Sequence, residues 1–513
     1  MAASNISSDA AFSRVSDAAS TVLAVDLGGS ALKACLFTID GGVIGTTSVP
    51  LAFIETGDGR SEQDPEVWWN ALGQAVADIA RQDCGGLART TAVAICGFTR
   101  TQVFVDAEGN PVRAAIGFRD ARAQEEVEAA LAQNGIALHP ETSHLNAFHP
   151  LARLAWLRRA EPSAWAATMT VLEPKDYLAF RLTGKLRSDH ISQHRLKCAF
   201  TSRHSSLATA LGIGRDVLPP LGEPADKVGD VRPDLPGALA HIAGAQVFCG
   251  SHDTWAAVAG MGALRPGRAY CISGSSEVFG LISDVELTAE GLVSIEWGRN
   301  IWQLGGPGQN GSNALAWIVD RLDRSDRPFA RRLEDLLSQQ QASNTPLIFH
   351  PFLHGERVPY WDKDLRASFL GLGSEHGPAD LVRAVMEGVA FVNRVVLERA
   401  EQAAGRHAEE VRIGGGGSRS TVWNQIRANV LGRPVLASPV AEMGLAGCLA
   451  LARLGLGIDD SLTTAADAVS PQFARFDPDQ AQRHQLDVLF SVFNETHDAV
   501  LRASYLLSQI KRG

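Results

Sequence analysis

Two stretches built to one design constrain this chain more than any other feature. In "TVLAVDLGGSALKACLF", residues 21–37, an apolar strand from Val22 to Val25 meets Asp26 and a small-residue turn. A second apolar strand, Ala31 to Phe37, then runs to the turn Asp40-Gly41-Gly42, and a third follows. In "GRAYCISGSSEVFGLIS", residues 267–283, strand, small-residue turn and strand recur, alike in design although not residue by residue. The first reads as a hairpin meander with an acid at the end of its first strand. Helical patterns follow each. "DPEVWWNALGQAVADIARQ" has Asp64 to cap and Pro65 for the first turn, and further helices are expected at about 312–322 and 378–404. "TAVAICGF" reads as a buried strand and "FVDAEGNPVRAAIGF" as another hairpin. The expected fold class is α/β, a duplicated module with a cleft between its halves.

Composition narrows the partners. The 513 residues are 45% hydrophobic and 20% charged, enough apolar content for more than one core. A net charge of −10 gives no electrostatic reason to expect nucleic acid or an anionic membrane, so an anionic substrate would need a local basic pocket. The seven cysteines are scattered and lack a CxxC pair, which fits buried thiols in a reducing cytoplasm. Residues 1–20 are small and polar and read as a tail, and no segment approaches a membrane span.

Four stretches can carry chemistry. In "DLGGSALK", Gly28, Gly29 and Ser30 leave backbone N–H groups open to a phosphate, Lys33 adds charge and Asp26 could hold Mg²⁺, although a tight hairpin turn explains the same residues. "SGSS", with Gly274, Ser275 and Ser276, occupies the equivalent place in the second half. In "RIGGGGSRSTVWNQIRANV", four glycines between a strand and a helix suit close approach to a ligand or simple crowding. In "CGSHDTWAAVAGMG", residues 249–262, Asp253 stands where an apolar strand gives way to a helix, and either a helix cap or a catalytic base fits. His190 and His194 have i,i+4 spacing without a third ligand nearby, and a surface or cleft-lining pair is the default over a metal site.

Together these stretches resemble the FGGY carbohydrate kinases, members of the actin-like ATPase superfamily. The most specific pieces are "FLHGERVPYWDKDLRASFLGL" with "RAVMEGVAFVNR", and "GGGGSRSTVWNQIRANVLGRPV" with "EMGLAGCLALARLGLG". The resemblance implies two RNase H-like domains around a central cleft, at 21–265 for the sugar and the base, and at 266–513 for ATP. It implies ATP and Mg²⁺ as cofactors, Asp26 near the metal, and Asp253 as general base. It further implies two phosphate turns, Gly28-Gly29-Ser30 and Gly274-Ser275-Ser276, and a nucleotide loop of Gly415, Gly416, Gly417 and Ser418 with Asn424 in the helix behind it.

The likeness is greatest to xylulokinases, so a ketopentose such as xylulose is the expected substrate. The substrate region departs from that pattern. "GFTRTQ" brings Arg100, Thr101 and Gln102 where xylulokinases carry Gln-Met-His-Gly, and Phe118-Arg119-Asp120 replaces Trp-Asn-Asp. Arg100 could serve hydroxyls or a carboxylate, or pair with an acid such as Asp120. Other ketoses, polyols and sugar acids therefore stay open, as does a catalytically silent regulator on the same fold. His252 reads as a packing residue or a contact to a substrate hydroxyl. The expected partner is a small-molecule sugar or polyol, with no nucleic acid and no membrane, and a homodimer left open.

Overall fold

The computed structural model describes residues 20–55, 59–134, 146–200, 208–209, 211–339, 345–440 and 442–510. Residues 1–19 of the expected tail lie outside them. The chain divides into two compact units, one of Met1–Gly260 with Gly444–Ser470, the other of Met261–Met443 with Pro471–Gly513. The stretch Gly444–Ser470, which falls within the 266–513 expected for the second domain, thus packs with the first unit.

In the first unit the opening meander forms as its apolar runs demand. Strands Thr21–Leu27, Ala31–Thr38 and Val43–Pro50 pair antiparallel in sequence order. Thr21–Leu27 also pairs in parallel with Thr90–Gly97, which pairs in parallel with Gln246–Phe248, and Lys227–Asp230 closes that edge antiparallel. Both central strands are almost wholly buried, which is why they read as continuous apolar runs. Helix Pro65–Leu87 covers the sheet with Trp68, Leu72, Val76 and Ile79, and its cap is the expected one: the Asp64 carboxylate accepts from the Glu66 N–H at 2.9 Å.

The second unit repeats this plan. Ala269–Ser273, Glu277–Ser283 and Ile301–Pro307 form the antiparallel run, with Val293–Gly298 added at its outer edge. Ala269–Ser273 pairs in parallel with Val411–Gly414, and that strand with Val435–Ala437, before an antiparallel edge, Ala474–Phe476. Helices Ser312–Leu322 and Pro378–Ala404 occupy the expected positions. The expected hairpin in 104–118 forms, with Gln102 opposite Ile116 and Val105 opposite Pro111, and its arms also pair outward. Its turn is tied by Asp106 and Asn110, and on their outer sides Val103–Val105 pairs with Thr170–Leu172 and Ala115–Ile116 with Ser61–Gln63. No described helix is long and apolar enough to cross a membrane.

Candidate active site

Parallel pairing puts three strand ends side by side in the first unit. Asp26 is the register partner of Cys96, and Gly97 bridges in parallel to His252. Asp26, Cys96 and Asp253 therefore gather at one carboxyl end of the sheet, the place where open α/β sheets bind ligands. The Cys96 thiol senses both acids. Its hydrogen bond with Cys448, its burial and the negative charges of Asp26 and Asp253 all hold it protonated. Lys33 faces Asp26 across the hairpin as its register partner.

The turn between these strands needs its first glycine. The Gly28 N–H donates to the Ala31 carbonyl at 3.0 Å, and a Cβ at Gly28 would stand 3.0 Å from that oxygen. Gly29 lies over the Phe118 ring and Ser30 is exposed. The approach to Asp26 from the other side is made by Gly444, where a Cβ would come within 3.0 Å of the Asp26 carboxylate and 3.4 Å of the Cys96 sulfur. Gly447 and Gly455 extend the same close packing, against the Ala256 carbonyl and the Phe248 ring.

The alternatives at Asp253 resolve onto two residues. The His252 imidazole Nδ1 accepts from the Trp255 N–H at 3.0 Å and so caps helix Asp253–Gly260. Burial lowers His252 to about 4, which keeps the ring neutral and able to accept there. The Asp253 carboxylate accepts from the Thr254 N–H at 2.6 Å and from its hydroxyl at 3.2 Å. Burial pushes the Asp253 carboxyl upward, opposed by those two hydrogen bonds and by the positive charge of Arg100. Asp253 is thus an acid of raised basicity with a cation nearby.

Arg100 sits in the left-handed region, at φ 62°, a strained conformation for a residue with a side chain. Its carbonyl accepts from the Arg153 guanidinium, whose other arm reaches the Asp120 carbonyl at 3.1 Å. Glu173 and Asp253 lie near enough to favour the Arg100 charge, although burial outweighs them. Pairing of Arg100 with Asp120 does not occur. Asp120 is committed to Arg122, at 2.7 and 2.8 Å, and to the Ser61 N–H at 2.7 Å. Gln102 donates to the Pro150 carbonyl at 3.1 Å and Thr101 is fully buried with its N–H on Glu173, so both serve the scaffold under Arg100.

Beneath this surface lies a charged layer that the sequence did not disclose. Lys175 donates to Asp176 at 2.6 Å, to the Cys249 carbonyl at 2.9 Å and lies 2.8 Å from Asp189. Asp189 in turn accepts from the Ser251 hydroxyl at 3.0 Å. One buried lysine thus pins the strand end that presents Asp253. The stretch "LEPKDYLAFRLTGKLRSD" carries all three charges, but only tertiary packing shows that they converge.

In the second unit, the turn Gly274-Ser275-Ser276 and the glycine loop stand at neighbouring parallel strand ends, since Ile272 pairs with Gly414. Three of the four glycines separate into roles. A Cβ on Gly415, at φ 90°, would meet the Ser273 carbonyl at 2.6 Å, and one on Gly417 would meet the Ser273 hydroxyl at 2.1 Å, so crowding explains both. Around Gly416 nothing lies within 4 Å, and this position is open to a ligand. Ser418 and Asn424 hold the loop in place: Ser418 Oγ lies 2.8 and 3.0 Å from the carbonyls of Gly415 and Ser438, between which its one proton is shared, and Asn424 Nδ2 donates to the Ser418 carbonyl at 2.6 Å. Under the loop, fully buried Arg427 pairs with Glu277 and donates to the Ser273 hydroxyl at 2.6 Å, while Asn393 donates to the other Glu277 oxygen.

Residues 21–260 match the N-terminal domain of the FGGY family of carbohydrate kinases, and residues 269–456 match its C-terminal domain. The chain belongs to the FGGY family of carbohydrate kinases. It is 26% identical over 484 residues to a xylulose kinase of Bacillus subtilis, covering 93% of this chain and 96% of the relative. It is 25% identical over 477 residues to a gluconokinase of Bacillus licheniformis, covering 88% and 90%. The crystal structure of a xylulose kinase from Brucella ovis superposes with a TM-score of 0.82 at 26% identity, over 94% of this chain and all of that one. The protein is a sugar kinase of the actin-like ATPase fold; kinases of this family use ATP, and its substrate is a small sugar.

Proposed function

We propose that the enzyme transfers the terminal phosphoryl group of ATP to a hydroxyl of a sugar bound on the first unit, with Asp253 as general base. The observation that carries this reading is the meeting of Asp26 and Asp253 around one thiol at adjacent strand ends. A sugar hydroxyl is a poor nucleophile, and a carboxylate whose basicity burial has raised accepts its proton more readily than a solvated one.

Asp26 suits Mg²⁺, which commonly keeps several waters and takes one or two carboxylates together with substrate phosphates. When bound, the ion would neutralise phosphate charge. On the second unit, the open backbone at Gly416 and the turn Gly274-Ser275-Ser276 would receive the nucleotide, with Gly415, Gly417, Ser418 and Asn424 fixing the shape of the loop. On the first unit, Gly28, Gly29 and Ser30 would meet the transferring phosphate and Lys33 would add positive charge beside Asp26. Arg100 would contact the sugar, with Thr101, Gln102 and Asp120 holding it from behind. His252 would fix the helix on which Asp253 stands.

The relatives' names put forward two acceptors, a neutral ketopentose, xylulose, and a sugar acid, gluconate. Asp253→Asn tests the base on whichever is turned over. Turnover should fall about 10²- to 10⁴-fold, roughly 3–5 kcal/mol of barrier, while the fold is kept. The wild-type rate should fall as pH drops through the Asp253 carboxyl, and the residual rate of the variant should lack that limb. Near wild-type turnover in Asp253→Asn removes the residue from this role.

A further inference from the structure

One cation near Arg100 has no use in this scheme. Arg195 lies on the short helix His194–Ala199, whose Leu196 and Ala199 enter the core formed with Leu151, Leu154 and Ala155. At 100° per residue Arg195 flanks that buried face, and it is half-buried. The helix is tied to the site from two directions. Asp189, which fixes the start of this segment through the Ile191 and Ser192 N–H groups, also accepts from Ser251 next to His252. His194 lies close enough to His252 to oppose its protonation.

Among the described residues Arg195 makes no ion pair and no hydrogen bond, and the charges that act on it are Arg100 and Arg153. Arg153 is itself 0% exposed, its two arms spent on carbonyls. Burial and this repulsion pull Arg195 down to about 9. Three arginines thus converge, and the acids near Arg100 do not offset them: neither Glu173 nor Asp253 forms an ion pair with Arg100, and burial pushes Glu173 well above the usual carboxylate range. Arg100 is moreover held in strained backbone, a feature that collects at ligand clamps. Unmatched half-buried cations are costly unless an anion completes them.

We propose that the acceptor sugar carries a carboxylate, received by Arg195 together with Arg100, so that the substrate is a sugar acid rather than a neutral ketose. This rests on the sugar-kinase reading above and names its substrate class. A guanidinium matches a carboxylate with paired donors, which a neutral hydroxyl uses only in part. Arg195 is then a specificity residue.

The test compares acceptors of equal carbon number, xylonate against xylulose and xylitol, with gluconate as a longer acid and xylulose 5-phosphate as a different anion, in an ADP-release assay. Wild type should favour an aldonate in kcat/KM. Arg195→Leu should lower the aldonate-to-ketose ratio about 10- to 100-fold, chiefly through KM, and Arg195→Lys should recover part of it. In a thermal shift without ATP, aldonate should stabilise both wild type and Asp253→Asn, and stabilise Arg195→Leu less. Preference for xylulose, xylitol or the phosphate, or an equal loss on acid and neutral sugars in Arg195→Leu, overturns the proposal while leaving the kinase reading intact. Failure of that reading looks different: aldonate stabilises the protein, but no acceptor is phosphorylated.

Discussion

The two sheet ends are built on one strand plan and are finished in opposite ways. In the first unit the strand ends carry charge at the surface of the site, with Asp26 and Asp253 set around Cys96 and a cation beside them. In the second unit the corresponding ends carry glycine and serine, and the charges, Glu277 and Arg427, are sunk one layer below. Under the proposed reading, the difference separates two ways of meeting an anion. One end offers side chains that can move a proton or fix a charge. The other offers backbone N–H groups, whose shape must be held from beneath because glycine cannot hold it.

If that division is right, breaking the buried pair should hurt the second unit most. Arg427→Met leaves Glu277 buried without its partner, and denaturant unfolding should show a loss of about 3–5 kcal/mol. Adding Glu277→Gln should return part of it. No recovery in the double variant would mean that the pair does more than hold the loop.

The glycines sharpen the comparison at smaller scale. Gly415→Ala places a Cβ at positive φ against the Ser273 carbonyl and should cost about 1–3 kcal/mol by the same measurement. Gly416→Ala should leave stability within about 0.5 kcal/mol and raise the KM for ATP instead. The reverse order would exchange the roles of the two positions.

At the first unit's end the smallest effect is the helix cap. His252→Ala should cost about 1 kcal/mol, and His252→Asn, which restores an acceptor, less. The pH dependence carries a sign that a mere packing role lacks. The His252 pKa is lowered by folding, from 6.5 to about 4, so its contribution is complete above pH 6.5 and is lost as pH falls toward 4. Wild type should therefore lose more stability than His252→Asn across that window. For Asp253 the sign is opposite. Its pKa is raised, so the cost of the buried charge is felt above the folded pKa, and Asp253→Asn should melt higher than wild type at neutral pH while turning over less.

Much of this was legible locally. An apolar run ending in an acid or in small residues marks a strand end wherever it occurs, which is how Asp26, Asp253 and both small-residue turns stood out. What escaped reading depended on partners distant in the chain. Asp120 stood open as one possible partner for Arg100 and instead holds Arg122. Arg427 and Glu277 looked like an ordinary helix residue and a strand residue, because nothing local marks a buried pair formed over such separation. Arg195 was overlooked beside the more conspicuous His190 and His194. The apolar pair Leu196 and Ala199 one turn apart does fix the helix face, and from it the flank on which Arg195 stands.

The glycine stripe of Gly444, Gly447 and Gly455 bears on how the molecule is made. The first unit's sheet is complete by Phe248, yet helix Met443–Gly455, which packs against its acid-bearing end, arrives only after every strand of the second unit's sheet except the edge strand Ala474–Phe476 has been synthesised. On the ribosome the first unit therefore waits, with Cys96 and the rim around Asp26 uncovered, until nearly nine-tenths of the chain has emerged. Contacts of such long sequence separation form late and slowly. A fragment ending at Gly260 would carry both acids and lack the surface that encloses them.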